Sequence, residues 1–119
     1  MSRSKKLKSL RPEVEVADTS FTAQEIFQNK VLRPILKFQN NIILDWFDSQ
    51  VEHNKLRLKE NAESNLKALL AKSPKLQAEL KGMIIGHLTT LEYRTYQEYS
   101  KDLGRRIVQM ALRRYLSQR

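Results

Sequence analysis

Apolar residues recur at helical spacing along most of the chain, and this pattern predicts an all-α fold. The clearest stretch runs from Ile35 to Phe47, where apolar side chains fill one half of a helical wheel and polar side chains fill the other. A second apolar face, from Ala62 to Leu70, has a different phase. Because Asn and Ser favour caps and turns, we expect the helix to break over residues 60–65.

Local signals predict where the first helices begin and end. Thr22 and Glu25 have the spacing of a capping box, with Phe21 and Ile26 at the positions of a hydrophobic staple. Pro34 lacks an amide proton and crowds the preceding turn, so the first helix is expected to kink or to restart there.

Later helix ends follow from serine, proline and glycine. Ser73 and Pro74 predict an N-cap and a first helical position, and Gly104 is the expected stop before a last helix of about 105–117. Gly82 and Gly86 lie four residues apart on one face, which favours close approach of another helix rather than a helix break or a ligand contact.

These ends predict a compact bundle of four to five helices. The bundle forms a single domain, 21–119, and residues 1–20 precede it as a basic, flexible tail. Since the tail shows no strong apolar signal, its removal through residue 18 is expected to leave melting nearly unchanged.

The positive charge lies at the two ends of the sequence. Residues 1–11 hold five Lys or Arg and no acid, residues 104–119 hold five Arg and no acid, and residues 12–103 hold 12 bases and 13 acids, within a net charge of +9. No apolar run approaches the roughly 18 residues of a membrane span. The lack of cysteine suits a reducing compartment, and we expect a cytoplasmic protein.

The two histidines, His53 and His87, form the first candidate site, with Trp46 and Gln50 beside His53. Two imidazoles that meet inside a bundle can ligate a metal or exchange a proton. The alternative is two hydrogen-bonded core or rim histidines, because Gln50 stands where a carboxylate metal motif would need Glu. No phosphate loop, nucleophile elbow or zinc-protease motif occurs, so we expect no cofactor, metal or catalytic residue.

The basic ends form the second candidate site, for nucleic acid. Its residues are Arg105, Arg106, Arg113, Arg114, Lys5 and Lys6. Apolar residues cover so much of the last helix that we expect it to be buried apart from a narrow polar strip. The alternative is that some of these arginines pair with the acidic face of another helix, formed by Asp45, Asp48 and Glu52.

Two phrases in the first half of the chain carry a family resemblance. KSLRPE at 8–13 and FQNKVLRPILKFQN at 27–40 resemble a group of small, uncharacterised bacterial all-helical proteins, some of them labelled glyoxalase. The resemblance covers about residues 8–50, implies a helical fold and carries over no functional residue. Metal-dependent glyoxalases use paired βαβββ modules with ligands on strands, and this sequence predicts no such strands.

The apolar faces exceed what one chain of this length can bury, which favours a homo-oligomer, most simply a two-fold dimer. The leading interpretation is therefore a non-enzymatic interaction or structural protein that associates with itself. The first alternative is a nucleic-acid-associated protein that uses its basic ends. The second is a ligand-binding or enzymatic bundle with a site near His53 and His87.

Overall fold

The computed structural model describes residues 2–14 and 22–119, and within them every regular element is a helix. The staple residue Phe21 and residues 15–20 of the expected tail lie outside the described residues. Seven helices follow one another, and the all-α prediction is confirmed. They are α1 (Arg3–Leu10), α2 (consecutive segments Ala23–Phe27, Gln28–Leu32 and Arg33–Phe38), α3 (Asn40–His53), α4 (Ala62–Lys72), α5 (Pro74–Ile85), α6 (Thr90–Glu98) and α7 (Ser100–Gln118).

Helix α2 passes through Pro34 without stopping. The segment Gln28–Leu32 is a π-helical turn, and Pro34 occupies the second position of the α-helical segment that follows. A π turn widens the backbone by one residue, so it accommodates a proline that would otherwise clash with the preceding turn. At the start of α2, the Thr22 hydroxyl accepts a hydrogen bond from the Glu25 amide at 3.0 Å, as predicted.

Helix α3 begins after a turn at Gln39, whose ψ of 9° interrupts the helical path. Gln39 Nε2 donates to the Met83 carbonyl at 3.0 Å and so ties this turn to α5. The turn divides the predicted apolar face. Ile43 and Phe47 are buried on it, whereas Phe38 and Ile42 are exposed, Ile42 by 52%.

A break before α4 is confirmed, but it lies earlier than the predicted residues 60–65, because residues 62–65 already belong to α4. Residues 54–61 are non-helical, and Lys55 and Asn61 both have positive φ, 53° and 57°. Asn tolerates the left-handed region better than most residues, so Asn61 suits the position before α4. The cap at α5 is also confirmed: Ser73 Oγ accepts from the Leu76 amide at 3.2 Å and Pro74 is the first helical residue.

The stretch between the predicted start at Pro74 and the expected stop at Gly104 is not one continuous helix. A turn over residues 86–89 separates α5 from α6, and Thr89 and Glu92 form a reciprocal capping box that the sequence analysis missed. The prediction of close helix packing at the glycine pair is wrong. A Cβ on Gly82 would meet nothing within 4 Å, and Gly86 ends α5.

Gly104 does not stop a helix. It is a buried residue inside α7, where a Cβ would lie 3.2 Å from Lys81 Cδ and from the Tyr96 hydroxyl. The helix begins at Ser100, earlier than predicted. The earlier start does not change the number of helices; α1 and the turn before α6 account for the two helices that the described residues have beyond the predicted five.

Helix α7 forms the centre of the bundle and packs against α2, α3, α4, α5 and α6. Its predicted burial is confirmed. The Tyr115 ring stacks on Phe47 at a centroid distance of 4.9 Å, and its hydroxyl donates to Asp48 Oδ1 at 2.7 Å. The buried residues of α7 are Leu103, Gly104, Ile107, Ala111, Leu112 and Tyr115.

The described part of the N-terminal segment is helical and contacts the bundle, which the sequence did not predict. Arg3 donates to the carbonyls of Leu88 and Gly86, and Arg11 donates to the His87 carbonyl and to both carboxylate oxygens of Glu92. Each arginine thus satisfies carbonyls that the 86–89 turn leaves unpaired. The domain boundary at residue 20 and the flexibility of the tail stay predictions.

Candidate functional site

A line of exposed polar side chains runs along α7. Since these residues recur every fourth position, they follow one another at about 6 Å along the helix axis. We call this line the basic ridge: Lys101, Arg105, Gln109, Arg113 and Ser117. The opposite side of α7 is in the core, so only this narrow strip of the helix faces solvent, as the sequence analysis expected.

The single acid of α7 is Asp102, and it holds two of the predicted arginines. Arg105 Nη2 lies 2.5 Å from Asp102 Oδ1, and Arg106 Nε lies 2.9 Å from Asp102 Oδ2. Hydrogen bonds from Arg106 and Arg105 lower the pKa of Asp102. Arg106 is half-buried and also donates to Gln28 Oε1 at 2.7 Å, so it braces α7 against α2 and is not on the ridge.

The expectation that the terminal arginines pair with Asp45, Asp48 or Glu52 is wrong. The partner of Arg105 and Arg106 is the half-buried Asp102, one turn earlier on the same helix. Asp48 instead accepts from the Tyr115 hydroxyl, and burial together with this bond raises the pKa of Tyr115 to about 12. Spacing of three and four residues within α7 could have revealed the Asp102 pairing.

A cavity of about 310 Å³ lies between α2 and α7, which we call the α2 cavity. Among the residues that the structure describes, its lining contains no acid and four basic residues: Arg33, Lys37, Arg113 and Arg114. Arg114 Nη1 donates to Asn40 Oδ1 at 3.1 Å, and Asn40 Nδ2 donates to Gln118 Oε1 at 3.0 Å. Burial, and secondly the charge of Arg33, lower the pKa of Arg114.

A second cavity, of about 550 Å³, lies on the other side of the ridge among α4, α5 and α7, and we call it the α5 cavity. Its lining, as far as the described residues form it, again holds no acid and four basic residues: Lys67, Lys81, Lys101 and Arg105. Lys67 pairs with Glu63 at 2.9 Å. The fold therefore gathers lysines and arginines from the nearly neutral middle of the sequence around α7, which charge counting along the chain could not show.

The remaining predicted basic residues lie apart from this surface. Lys5 and Lys6 are exposed on α1, and the contacts of their helix go through Arg3 to the 86–89 turn. The structure thus unites Arg105, Arg113 and Arg114 around α7 and does not bring Lys5 or Lys6 into contact with them.

The histidine site is not assembled in the described part of the chain. His53 is exposed at the end of α3, and no hydrogen bond or ring contact joins it to His87. The His87 ring packs on Phe38 at 5.4 Å, and burial followed by the charges of Arg11 and Arg3 lowers its pKa. Trp46 Nε1 donates to Glu79 at 3.2 Å. Gln50 lies half-buried on α3, one turn before His53.

Other kinds of site were sought in residues 2–14 and 22–119. They contain no group of three or more His, Asp or Glu side chains placed to hold a metal ion. In the same residues, no helix combines the length and apolarity needed to cross a bilayer. No protein-family model, curated protein or solved structure matches the chain.

Proposed function

We propose that this protein is a non-enzymatic interaction protein whose partner is nucleic acid, bound by its phosphates along the basic ridge. One observation carries the proposal: the exposed edge of α7 is flanked by two cavities, and among the described residues each is lined by four basic side chains and no acid. Lysine and arginine side chains that contact phosphates release condensed counterions, which is the main source of sequence-independent affinity.

The burial of α7 favours a phosphate polymer over an anionic membrane. A basic helix that binds a bilayer presents its apolar face to the lipid. The apolar face of α7 is occupied by the core, with Ile107 and Ala111 fully buried. What the helix presents is a polar ridge about 18 Å long from Lys101 to Arg113, a length that spans several nucleotides of one strand.

The test is fluorescence anisotropy with a labelled DNA duplex at low salt. Arg105→Gln combined with Arg113→Gln removes two ridge charges and should weaken binding roughly tenfold or more. Lys72→Gln combined with Lys75→Gln removes the same charge from exposed positions off the ridge and should have a much smaller effect. Equal weakening by both pairs, or no binding by the unaltered protein, would refute the proposal.

Self-association is a second proposed property, and exposed apolar residues favour it. Phe38 and Ile42 lie on either side of the turn at Gln39 and are 42% and 52% exposed, and Leu91 at the start of α6 is 72% exposed. Light scattering at micromolar concentration should give twice the 14.0 kDa chain mass. Phe38→Ser with Ile42→Ser should return a monomer, and a monomeric unaltered protein would exclude the dimer.

The proposed compartment is the cytoplasm, which the lack of cysteine supports. A ligand site at His53 and His87 stays a prediction without a supporting contact. The likeness to small bacterial helical proteins also stays a prediction.

A further inference from the structure

The α2 cavity differs from the ridge in shape. Along the ridge the cations follow one another in a line, whereas in the cavity Arg33 and Lys37 of α2 face Arg113 and Arg114 of α7 across a concave surface. Convergent cations suit one compact, multiply charged group, because several donors can reach its oxygens at once.

The described part of the protein offers these four cations little neutralising charge. Within the described residues none of them forms an ion pair. Lys37 Nζ donates to the Glu13 carbonyl at 3.3 Å, and Arg114 donates to a neutral amide. The charge of Arg113 contributes slightly to the lowered pKa of Glu63, whose carboxylate already pairs with Lys67 at 2.9 Å.

Arg114 is the most constrained of the four. Asn40 accepts its hydrogen bond and is itself tied to Gln118, so the guanidinium is oriented by two side-chain amides. Burial and the neighbouring Arg33 lower its pKa, although an arginine stays protonated under ordinary conditions. A partly buried, oriented cation beside a second cation is stabilised when an anion enters.

We propose that the α2 cavity binds a phosphate monoester group, the dianion that ends a phosphorylated small molecule or a nucleic-acid strand. A volume of about 310 Å³ exceeds what the phosphate alone needs, so part of the attached molecule fits as well. Binding of a phosphorylated small molecule does not depend on the proposed function. Binding of the terminal phosphate of a nucleic-acid strand does, because the strand must first bind to the protein.

The first experiment uses inorganic phosphate as the probe and thermal unfolding as the readout. At tenfold excess over its dissociation constant, phosphate should raise the melting temperature by about 6 °C relative to chloride at equal ionic strength. Arg33→Gln with Lys37→Gln should abolish that increment without lowering the melting temperature in chloride, because it removes like-charge repulsion. Lys72→Gln with Lys75→Gln should keep it.

Phosphate also stabilises proteins through exclusion from their surfaces, and the paired variants separate that effect from binding. An equal rise in all three proteins, or no rise in any, would overturn the inference. A rise confined to the unaltered protein and the Lys72/Lys75 variant supports a site in the α2 cavity.

The second experiment distinguishes this inference from the proposed function. The binding of single-stranded oligonucleotides with and without a 5′-phosphate is compared. The phosphorylated strand should bind several-fold more tightly. Arg33→Gln with Lys37→Gln should remove the preference for the phosphorylated strand and leave the affinity for the unphosphorylated strand unchanged. If the two strands bind equally well and phosphate does not stabilise the protein, the proposed phosphate site in the α2 cavity is refuted, while nucleic-acid binding along the basic ridge is retained. Strands that fail to bind, with stabilisation by phosphate retained, would refute the nucleic-acid proposal and leave a site for small phosphorylated molecules.

Discussion

The contact between Arg11 and Glu92 should stabilise the whole protein, because it joins the N-terminal segment to the cap of α6. Arg11 Nη1 and Nη2 donate to the two carboxylate oxygens at 2.8 and 2.6 Å, and the side chains are only 9% and 14% exposed. The same carboxylate accepts the Thr89 amide at 2.9 Å as half of the capping box. Glu92→Ala therefore removes a buried counterion and a cap at once.

The magnitude follows from these two losses. Breaking a buried pair costs about 3–5 kcal/mol, and since neither partner is fully buried we take the lower end. Loss of a capping contact adds about 1 kcal/mol. We expect Glu92→Ala to lower the free energy of unfolding by about 3–4 kcal/mol, a large part of the roughly 5–15 kcal/mol typical of a domain.

Urea denaturation followed by far-UV circular dichroism measures this change. Glu98→Ala is the matched control, because Glu98 is an exposed acid on the same helix and its loss should change stability by less than about 0.5 kcal/mol. Arg11→Met completes a double-mutant cycle whose coupling free energy should be about 2 kcal/mol. A coupling near zero would show that the N-terminal segment is not docked, and the sequence-based expectation that residues 1–18 are dispensable would then stand.

Three further results are expected. Gly82→Ala should stabilise the protein by about 1 kcal/mol in thermal unfolding, because the added Cβ meets nothing and helix propensity improves; a loss of stability would restore the close-packing hypothesis. The pKa of His87 is lowered on folding, so stability should fall as pH drops below about 6.5, and His87→Gln should flatten this dependence while His53→Gln of the exposed histidine should not. Burial raises the pKa of Tyr115 to about 12, so absorbance titration should show late ionisation of this phenol and stability should decline above about pH 10; Tyr115→Phe should reduce this decline without abolishing it, because burial also raises the pKa of Tyr96.

Most of the fold could be predicted from apolar periodicity and caps. The segment around Phe47, the break before Ala62 and the Ser73 cap were all read from local signals, since helix ends depend on neighbouring residues. The Thr89–Glu92 box has an equally local signal, and it was missed because an apolar face continued through it. Docking of α1 could not be predicted, because Arg11 reaches Glu92 across 81 residues of sequence.

The candidate site was predicted only in part. The narrow polar strip of α7 follows from helical periodicity, and Arg105 and Arg113 are on it as expected. Arg33 and Lys37 were not predicted as site residues, because the count of 12 bases and 13 acids over residues 12–103 conceals a local excess: residues 26–44 hold three bases and no acid. Their role depends on the packing of α2 beside α7, which only the tertiary structure specifies.

The dependence of DNA affinity on salt tests the central proposal most directly. With three cationic ridge positions, Lys101, Arg105 and Arg113, and further cations in the flanking cavities, the logarithm of the association constant should fall against the logarithm of salt concentration with a slope of about −3 or steeper on duplex DNA. Arg105→Gln with Arg113→Gln should make that slope shallower by nearly two. A slope near zero, or one unchanged in this variant, would contradict phosphate binding along α7.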